Sequence, residues 1–516
     1  MLIQDFLIRA SLENPAAEAL VTGDCRATYA RLADASFAFA GSLLTGGLKP
    51  GDRVAVMTDV PFDYIVSYFG TLLAGGVFVG LNTQTSTRTV RQLLSDCGAS
   101  VALTHRKFLK YFDGIADHVQ TLEYVAISGG GCIARVFCKD FAELLAVPAV
   151  NTGLLPRVQP EELAQIIYTS GTTGNPKGVM LSHTNLVANT LATVRYLNLT
   201  NNDRAMVVLP FFYSYGNSVL LTHMAVGGKL VVNQSLMYPN VIVEQMRDEE
   251  VTGLPGVPST FALLLQRTSI SESPMHHIRY ITQAGGAMSP ALARELMAAL
   301  PGVAIYIMYG QTEAAPRLSY LEPADLLRKP GSIGKAIPGV TLEVLSPEGI
   351  AVQPGEIGEL VAQGANVMIG YWRQPETTAE VLRDGRLWTG DLVTVDEEGY
   401  LYIVGRQSDM IKSGAHRIAP KEIENVLLEH DAVFEAAVFG VEDAILGESI
   451  KAFVVLKETA ACQERDLLRH CHGILPLYKV PQTIEFLHEL PKTESGKIKR
   501  TELKAGGSDI QGDAKC

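Results

Sequence analysis

"YTSGTTGNPKGV", Tyr168 to Val179, crowds glycines and hydroxyl side chains into one run and ends it on a lysine. An apolar run, Leu163 to Ile167 broken only by Gln165, precedes it, and "MLSHTNLVAN" after it reads as the start of a helix. A loop with so little side-chain bulk leaves its backbone N–H groups open to a phosphate. A Walker loop would carry Gly-Lys-Ser/Thr, with the lysine opening its helix. Here Pro176 precedes Lys177 and Gly178 follows it, so the Walker reading fails. Taken alone, the stretch reads first as an ordinary glycine-rich surface turn, and its meaning depends on what surrounds it.

Short β-branched runs alternate with helical patterns through the first four fifths of the chain. Arg53 to Asp59 reads as a strand, and "FDYIVSYFGTLLAGG" as the helix after it. Further strands are expected at Ser100–Thr104, Tyr124–Ser128, Ala205–Pro210, Lys229–Asn233, Tyr280–Gly286 and Ala304–Gly310. Strands separated by helix-length segments imply an α/β fold, a parallel or mixed sheet with helices on its faces. Ligands of such sheets collect in loops beyond the carboxyl ends of the strands. Three polar stretches, "TSGTTG", "GGAMSP" and "YGQTE", follow strands in this way and could meet at one site.

After about Gly405 the pattern changes. A polar stretch, "RQSDMIKSG", leads into a compact α+β set: helix "PKEIENVLLEH", strands "EAAVFGV" and "KAFVVLK", helix "ERDLLRHCHGIL" and strand "TIEFLHEL". The expected organisation is a large N-terminal domain of sheets covered by helices, residues 1–407, a small α+β C-terminal domain, residues 408–504, and a disordered tail, residues 505–516.

A chain of 516 residues needs more than one ordinary core. A net charge of -12 excludes nucleic-acid binding by phosphate neutralisation. The N-terminus carries Asp5 and Arg9 inside its apolar part, so it is read as an amphipathic surface helix with Leu2, Phe6, Ile8 and Leu12 as its stripe, not as a signal peptide. No apolar stretch reaches the length of a membrane span. Seven scattered cysteines fit reduced thiols in a cytoplasm. Neither Cys132 with Cys138, nor Cys471 with His470 and His472, has a second half at zinc spacing, and His276-His277 reads as a surface turn.

The loop is accompanied, in order, by "YGQTE" (309–313), "TGD" (389–391), Gly405-Arg406, "KSGAHRIAPKEIE" (412–424) and "PKTESGKIKR" (491–500). With these the chain resembles the adenylate-forming superfamily of acyl-CoA synthetases, aryl-CoA ligases, firefly luciferase and peptide-synthetase adenylation domains. The resemblance runs from about residue 10 to 503. It implies that Thr169, Ser170, Gly171, Thr172, Thr173 and Lys177 hold the β- and γ-phosphates of ATP. It implies further that Tyr309 lies against adenine, Thr312 contacts the α-phosphate and Glu313 helps hold Mg²⁺. Gly285, Gly286 and Ala287 would line the adenine and acyl pockets, Asp391 would accept from the ribose hydroxyls, and Arg406 would support ribose and phosphate. Lys497 would bridge the carboxylate and the α-phosphate during adenylation. Ser408 falls at the hinge about which the family's small domain alternates, where Asp or Lys is usual, with Asp409 next to it. Gly414 and Ala415 fall in the segment lining the thiol entry, with Ala415 where the family carries glycine.

The implied reaction is ATP-dependent activation of a carboxylic acid as acyl-AMP, with release of pyrophosphate, followed by transfer to coenzyme A or a carrier-protein phosphopantetheine. Tyr213, Ser214 and Gly310 fall in the acyl pocket. Amino-acid-activating relatives place an aspartate at the position of Ser214 to pair the substrate's α-ammonium, so the acid is expected to lack an α-amino group. The alternatives are a stand-alone amino-acid adenylation enzyme, a luciferase-like oxygenase, and a nucleotide-binding regulator without catalysis. Lys497 speaks against the last, since mere binding has no chemical need of it.

Overall fold

The computed structural model describes residues 1–503 apart from residues 24, 149, 151, 170–175, 274, 414–415, 444–445, 458–459, 493–497 and 500–501. The expected tail therefore lies outside the described residues, as do Ser170, Gly171, Thr172, Thr173, Gly414, Ala415 and Lys497.

The expected strands form at Arg53–Met57, Ala99–His105, Tyr124–Ser128, Leu163–Thr169, Arg204–Val207, Lys229–Val232, Tyr280–Gln283 and Ala304–Gly310. They divide between two sheets. In the eight-stranded sheet, Val77–Gly80, Arg53–Met57, Ala99–His105 and Tyr124–Ser128 run parallel, and Leu163–Thr169 joins them beside Val77–Gly80. Lys177–Ser182 returns antiparallel to Leu163–Thr169, with Thr169 opposite Lys177. The glycine-rich stretch thus falls between two adjacent strands in the chain. The strand continues through Ser182, and the helix begins only at His183, three residues later than "MLSHTNLVAN" suggested. Ser182 accepts from the Asn185 N–H and the Asn185 side chain accepts from the Ser182 N–H, a reciprocal cap that fixes this start.

The fourteen-stranded sheet has a parallel half that includes Lys229–Val232, Arg204–Val207, Gly253–Gly256, Tyr280–Gln283 and Ala304–Gly310. From Arg317–Leu321 onward it continues antiparallel through Ser332–Ala336, Leu401–Arg406, Arg386–Val395, Ile357–Gly364 and Val340–Leu345. A large apolar core joins the two sheets through the helices Tyr29–Thr45, Pro61–Leu73 and Ser214–Val226. A turn, Gln407–Asp409, separates the last strand of this sheet in chain order from a five-stranded sheet with its own core and the helices Pro420–Leu428 and Glu464–Ile474. None of the described helices is long and apolar enough to cross a membrane.

The N-terminal helix, Gln4–Glu13, corrects the expected stripe. Leu12 is 78 % exposed, whereas Ile3, Phe6, Leu7 and Ala10 are buried, a set at i, i+3, i+4 and i+7. The Ile3 N–H donates to His183 Nδ1 at 3.3 Å, which needs a neutral imidazole with that nitrogen unprotonated. Burial, aided by the N-terminal ammonium, pushes His183 down from 6.5 to about 4. Between those values the unfolded chain binds the proton and the folded chain does not, so stability is full above about pH 6.5 and falls toward pH 4. The expected loss from this group is about 3 kcal/mol at the acid end. Urea denaturation at several pH values should show it, and His183→Gln should flatten that part of the profile.

Candidate active site

Gly178, which follows Lys177 and defeats a Walker reading, has a packing reason. A Cβ there would stand 2.9 Å from Ile166 Cγ2 and 3.2 Å from Trp372 Cβ, because the segment Gly370–Tyr371 pairs directly with this strand and the Trp372 N–H donates to Gly178 O at 2.7 Å. The pairing carries Tyr371 to the site. Lys177 Nζ lies 5.1 Å from the Tyr371 ring centroid, and the Tyr371 hydroxyl donates to Glu313 Oε1 at 2.8 Å.

Glu313 comes from the turn after the strand Ala304–Gly310. That turn is tight: the Gln311 N–H donates to Pro316 O at 2.9 Å, and a Cβ on Gly310 would lie 1.9 Å from the same oxygen. Gly310→Ala must therefore move backbone. The expected cost is about 3 kcal/mol, with loss of activity at temperatures where the variant is still folded; thermal denaturation alongside turnover checks both. Within the turn, Thr312 Oγ1 donates to Ser214 Oγ at 3.2 Å. Ser214 opens the buried helix Ser214–Val226, and Tyr213 just before it accepts from Asn82 Nδ2 at 3.3 Å. Neither expected pocket residue brings a negative charge.

Tyr309, Asp391 and Arg406 also meet. Asp391 and Arg406 stand directly opposite in the antiparallel ladder between Arg386–Val395 and Leu401–Arg406. Asp391, 5 % exposed, accepts from Arg406 Nε at 3.0 Å and from the Tyr309 hydroxyl at 2.5 Å. Burial and the adjacent Asp391 carboxylate push the Tyr309 phenol well above its ordinary range, so it stays a donor. About half of the Arg406 side chain is exposed, 51 %, so the ion pair adds little to stability. Its effect is to hold the Asp391 carboxylate in one orientation. The Arg406 guanidinium is held above its ordinary range chiefly by the Asp391 carboxylate, with a small contribution from Glu313.

The "GGA" stretch follows the strand Tyr280–Gln283, where Gly285, Gly286 and Ala287 are exposed at its carboxyl end. Gln283 Nε2 donates to Gly286 O at 2.6 Å, and Gly285 takes φ +84°, which favours glycine. Ser408 lies exposed in the turn Gln407–Asp409, its hydroxyl 3.0 Å from Asp409 Oδ1.

Among the described residues no cluster of three His, Cys, Asp or Glu could hold a metal by protein ligands alone. Glu313 Oε1 is taken by Tyr371, and Oε2 has no hydrogen-bond partner among the described residues. A carboxylate with one oxygen available suits Mg²⁺, which keeps water and phosphate oxygens as most of its ligands.

Sequence reasoning missed Tyr371 and Arg317. Tyr371 sits in "GYW", which carries no chemistry until its strand is paired with Lys177–Ser182. Arg317, 4 % exposed, follows Pro316 and reads in sequence as a surface arginine. The one available signal was its place in an apolar run directly after "YGQTE".

Comparison with known proteins gives the same answer along the chain. The AMP-binding enzyme family matches residues 8–372, and the AMP-binding enzyme C-terminal domain matches residues 422–497. A feruloyl-CoA synthase of an Amycolatopsis species is 35 % identical over 502 residues, covering 96 % of this chain and 97 % of that protein. An anthranilate CoA ligase solved with anthranoyl-AMP superposes with a TM-score of 0.90 at 28 % identity, covering 98 % of this chain and 97 % of the other. An o-succinylbenzoate coenzyme A synthetase from Bacillus subtilis, solved with ATP and a magnesium ion, superposes with a TM-score of 0.83 at 30 % identity, covering 97 % and 99 %.

Proposed function

The chain belongs to the AMP-binding enzyme family, and on that premise we propose that it joins a carboxylic acid lacking an α-amino group to coenzyme A, using ATP and Mg²⁺ and passing through an acyl-adenylate. The observation that carries the reading is the convergence of Lys177, Thr312, Glu313, Tyr309, Asp391 and Arg406 through Tyr371, Ser214 and the Asp391–Arg406 ladder pair.

A carboxylate is a poor acylating agent because its leaving group would be oxide. Attack of its oxygen on the α-phosphate expels pyrophosphate, and attack of a thiolate on the resulting mixed anhydride expels AMP. The first step brings an anion against a polyanion, so fixed cations and donors must face the developing charge. We assign Lys177, with Thr169 and the residues 170–173, to the β- and γ-phosphates. Thr312, held by Ser214, faces the α-phosphate; Glu313, oriented by Tyr371, would hold Mg²⁺, which when bound neutralises phosphate charge. Asp391 accepts from the ribose, its carboxylate fixed by Arg406 and Tyr309. Gly285, Gly286 and Ala287 border the adenine and acyl pockets with Tyr213 and Gly310. Lys497 bridges the carboxylate and the α-phosphate.

We divide the chain at residues 407 and 408, with Ser408 as the hinge of a small domain that carries Lys497 and, through Gly414 and Ala415, the thiol entry. A small domain bearing both groups must present them in turn, which a hinge allows. Six described cysteines are all free thiols, and we place the reaction in the cytoplasm. The neutral pair Tyr213 and Ser214 favours a substrate without an α-ammonium. The test is thioester formation: with ATP, Mg²⁺ and a productive acid, loss of coenzyme A thiol should match AMP release mole for mole. AMP release with no thiol consumption would refute the coenzyme A assignment, and transfer to a phosphopantetheinylated carrier protein alone would replace it.

A further inference from the structure

Arg317 is a buried guanidinium without a counter-ion among the described residues. It is 4 % exposed, no carboxylate pairs with it among the described residues, and its Nε has no hydrogen-bond partner. Arg279, nearby on the same sheet, is by contrast paired with Asp203 at 2.8 Å. The backbone of Arg317 is clamped: its carbonyl accepts from Asn189 at 2.8 Å and Asn366 at 3.0 Å. Its Cζ lies 4.2 Å from the Tyr215 ring centroid. That ring is itself anchored, its hydroxyl donating to Thr282 O at 2.7 Å.

These positions adjoin Ser214 and Gly310, assigned above to the acyl pocket. Tyr215 follows Ser214, the partner of Thr312, and Arg317 stands opposite Gly310 in the ladder between Ala304–Gly310 and Arg317–Leu321. Asn217, Thr260 and Gln283, also on elements around this region, each keep a buried side-chain oxygen with no hydrogen-bond partner among the described residues. A wall built for an alkyl chain would not hold such groups, because each unpaired buried polar atom is destabilising and an unpaired charge more so.

We propose that Arg317 recognises the distal end of the acid, and that the substrates are compact acids carrying a second carboxylate. The inference rests on the carboxylate-activating reading and names its substrate class. The second carboxylate supplies the missing counter-ion, and the face of Tyr215 fixes the guanidinium plane for a two-point contact. Long unsubstituted fatty acids and plain aryl acids leave that charge unpaired and are the disfavoured substrates.

The experiment uses matched pairs, benzoate with terephthalate, cinnamate with 4-carboxycinnamate, and hexanoate with adipate, in acid-dependent ATP–pyrophosphate exchange. The expected result is a KM at least about tenfold lower for the dicarboxylic member of a pair. Arg317→Met should raise that KM about a hundredfold, leave the unsubstituted member unchanged or improved, and raise Tm, since it removes an unpaired buried charge. Arg317→Lys should recover part of the preference. Preference for the unsubstituted members, an equal loss for both members in Arg317→Met, or a lowered Tm in that variant would overturn the proposal and make Arg317 a structural brace. If no acid supports exchange, the carboxylate-activating reading fails on its own. Calorimetric titration of both proteins with the same diacids then decides Arg317 separately: binding lost in Arg317→Met supports the site, and absent or equal binding overturns it.

Discussion

Replacing Lys497 by alanine is expected to lower the adenylation rate by about 10²- to 10³-fold while changing ATP affinity little. The reasoning is electrostatic. The lysine is assigned to the point where the carboxylate oxygen meets the α-phosphate, and charge there is greatest in the transition state. On the proposed assignment ATP is held mainly elsewhere, by residues 169–173, Lys177 and the group in which Asp391 accepts from Tyr309 and Arg406. Single-turnover formation of acyl-adenylate, set beside calorimetric ATP binding, separates the two effects. The same lysine should matter much less for the second half-reaction, so thioester formation from supplied acyl-adenylate should persist in Lys497→Ala. Equal loss of ATP binding and adenylation would remove Lys497 from this role.

The second large effect is expected from Glu313→Gln. Glutamine has the shape of glutamate and keeps an oxygen for the Tyr371 hydroxyl, now 2.8 Å from Glu313 Oε1, so the fold and its Tm should be nearly unchanged. What disappears is the negative charge beside the phosphates. A hard cation then loses its protein carboxylate, and adenylation should fall about a hundredfold, about 3 kcal/mol of barrier. The Mg²⁺ concentration for half-maximal rate should rise as well. A variant with wild-type Mg²⁺ dependence would place the metal on other oxygens.

The parallel strands were legible because each is a short β-branched run set off by helix-length sequence, and Tyr124–Ser128 and Ala304–Gly310 form with the ends expected. The antiparallel continuation from Arg317 to Arg406 was not, since only one short α-helix, Pro375–Val381, punctuates it and its strands differ in length. The N-terminal stripe was misplaced because Leu2, Ile3, Phe6, Leu7, Ile8 and Leu12 offer two overlapping apolar faces. Only packing against the helices Tyr29–Thr45 and Ser214–Val226 selects the one containing Ile3 and Leu7.

The site residues divide in the same way. Thr312, Glu313, Asp391 and Arg406 were legible as members of ordered motifs. That Asp391 and Arg406 pair across a ladder, with Tyr309 on the same carboxylate, depends on register, which no short stretch encodes. Tyr371 became visible only through strand pairing, and Arg317 only through burial with no counter-ion among the described residues.

Carboxylate-dependent exchange of labelled pyrophosphate into ATP, without coenzyme A, tests the central claim most directly. Exchange is expected to require an acid and Mg²⁺, to favour compact dicarboxylic acids, and nearly to vanish in Lys497→Ala. Exchange that proceeds without any acid, or an acid-dependent turnover that releases ADP and phosphate with no exchange, would contradict it.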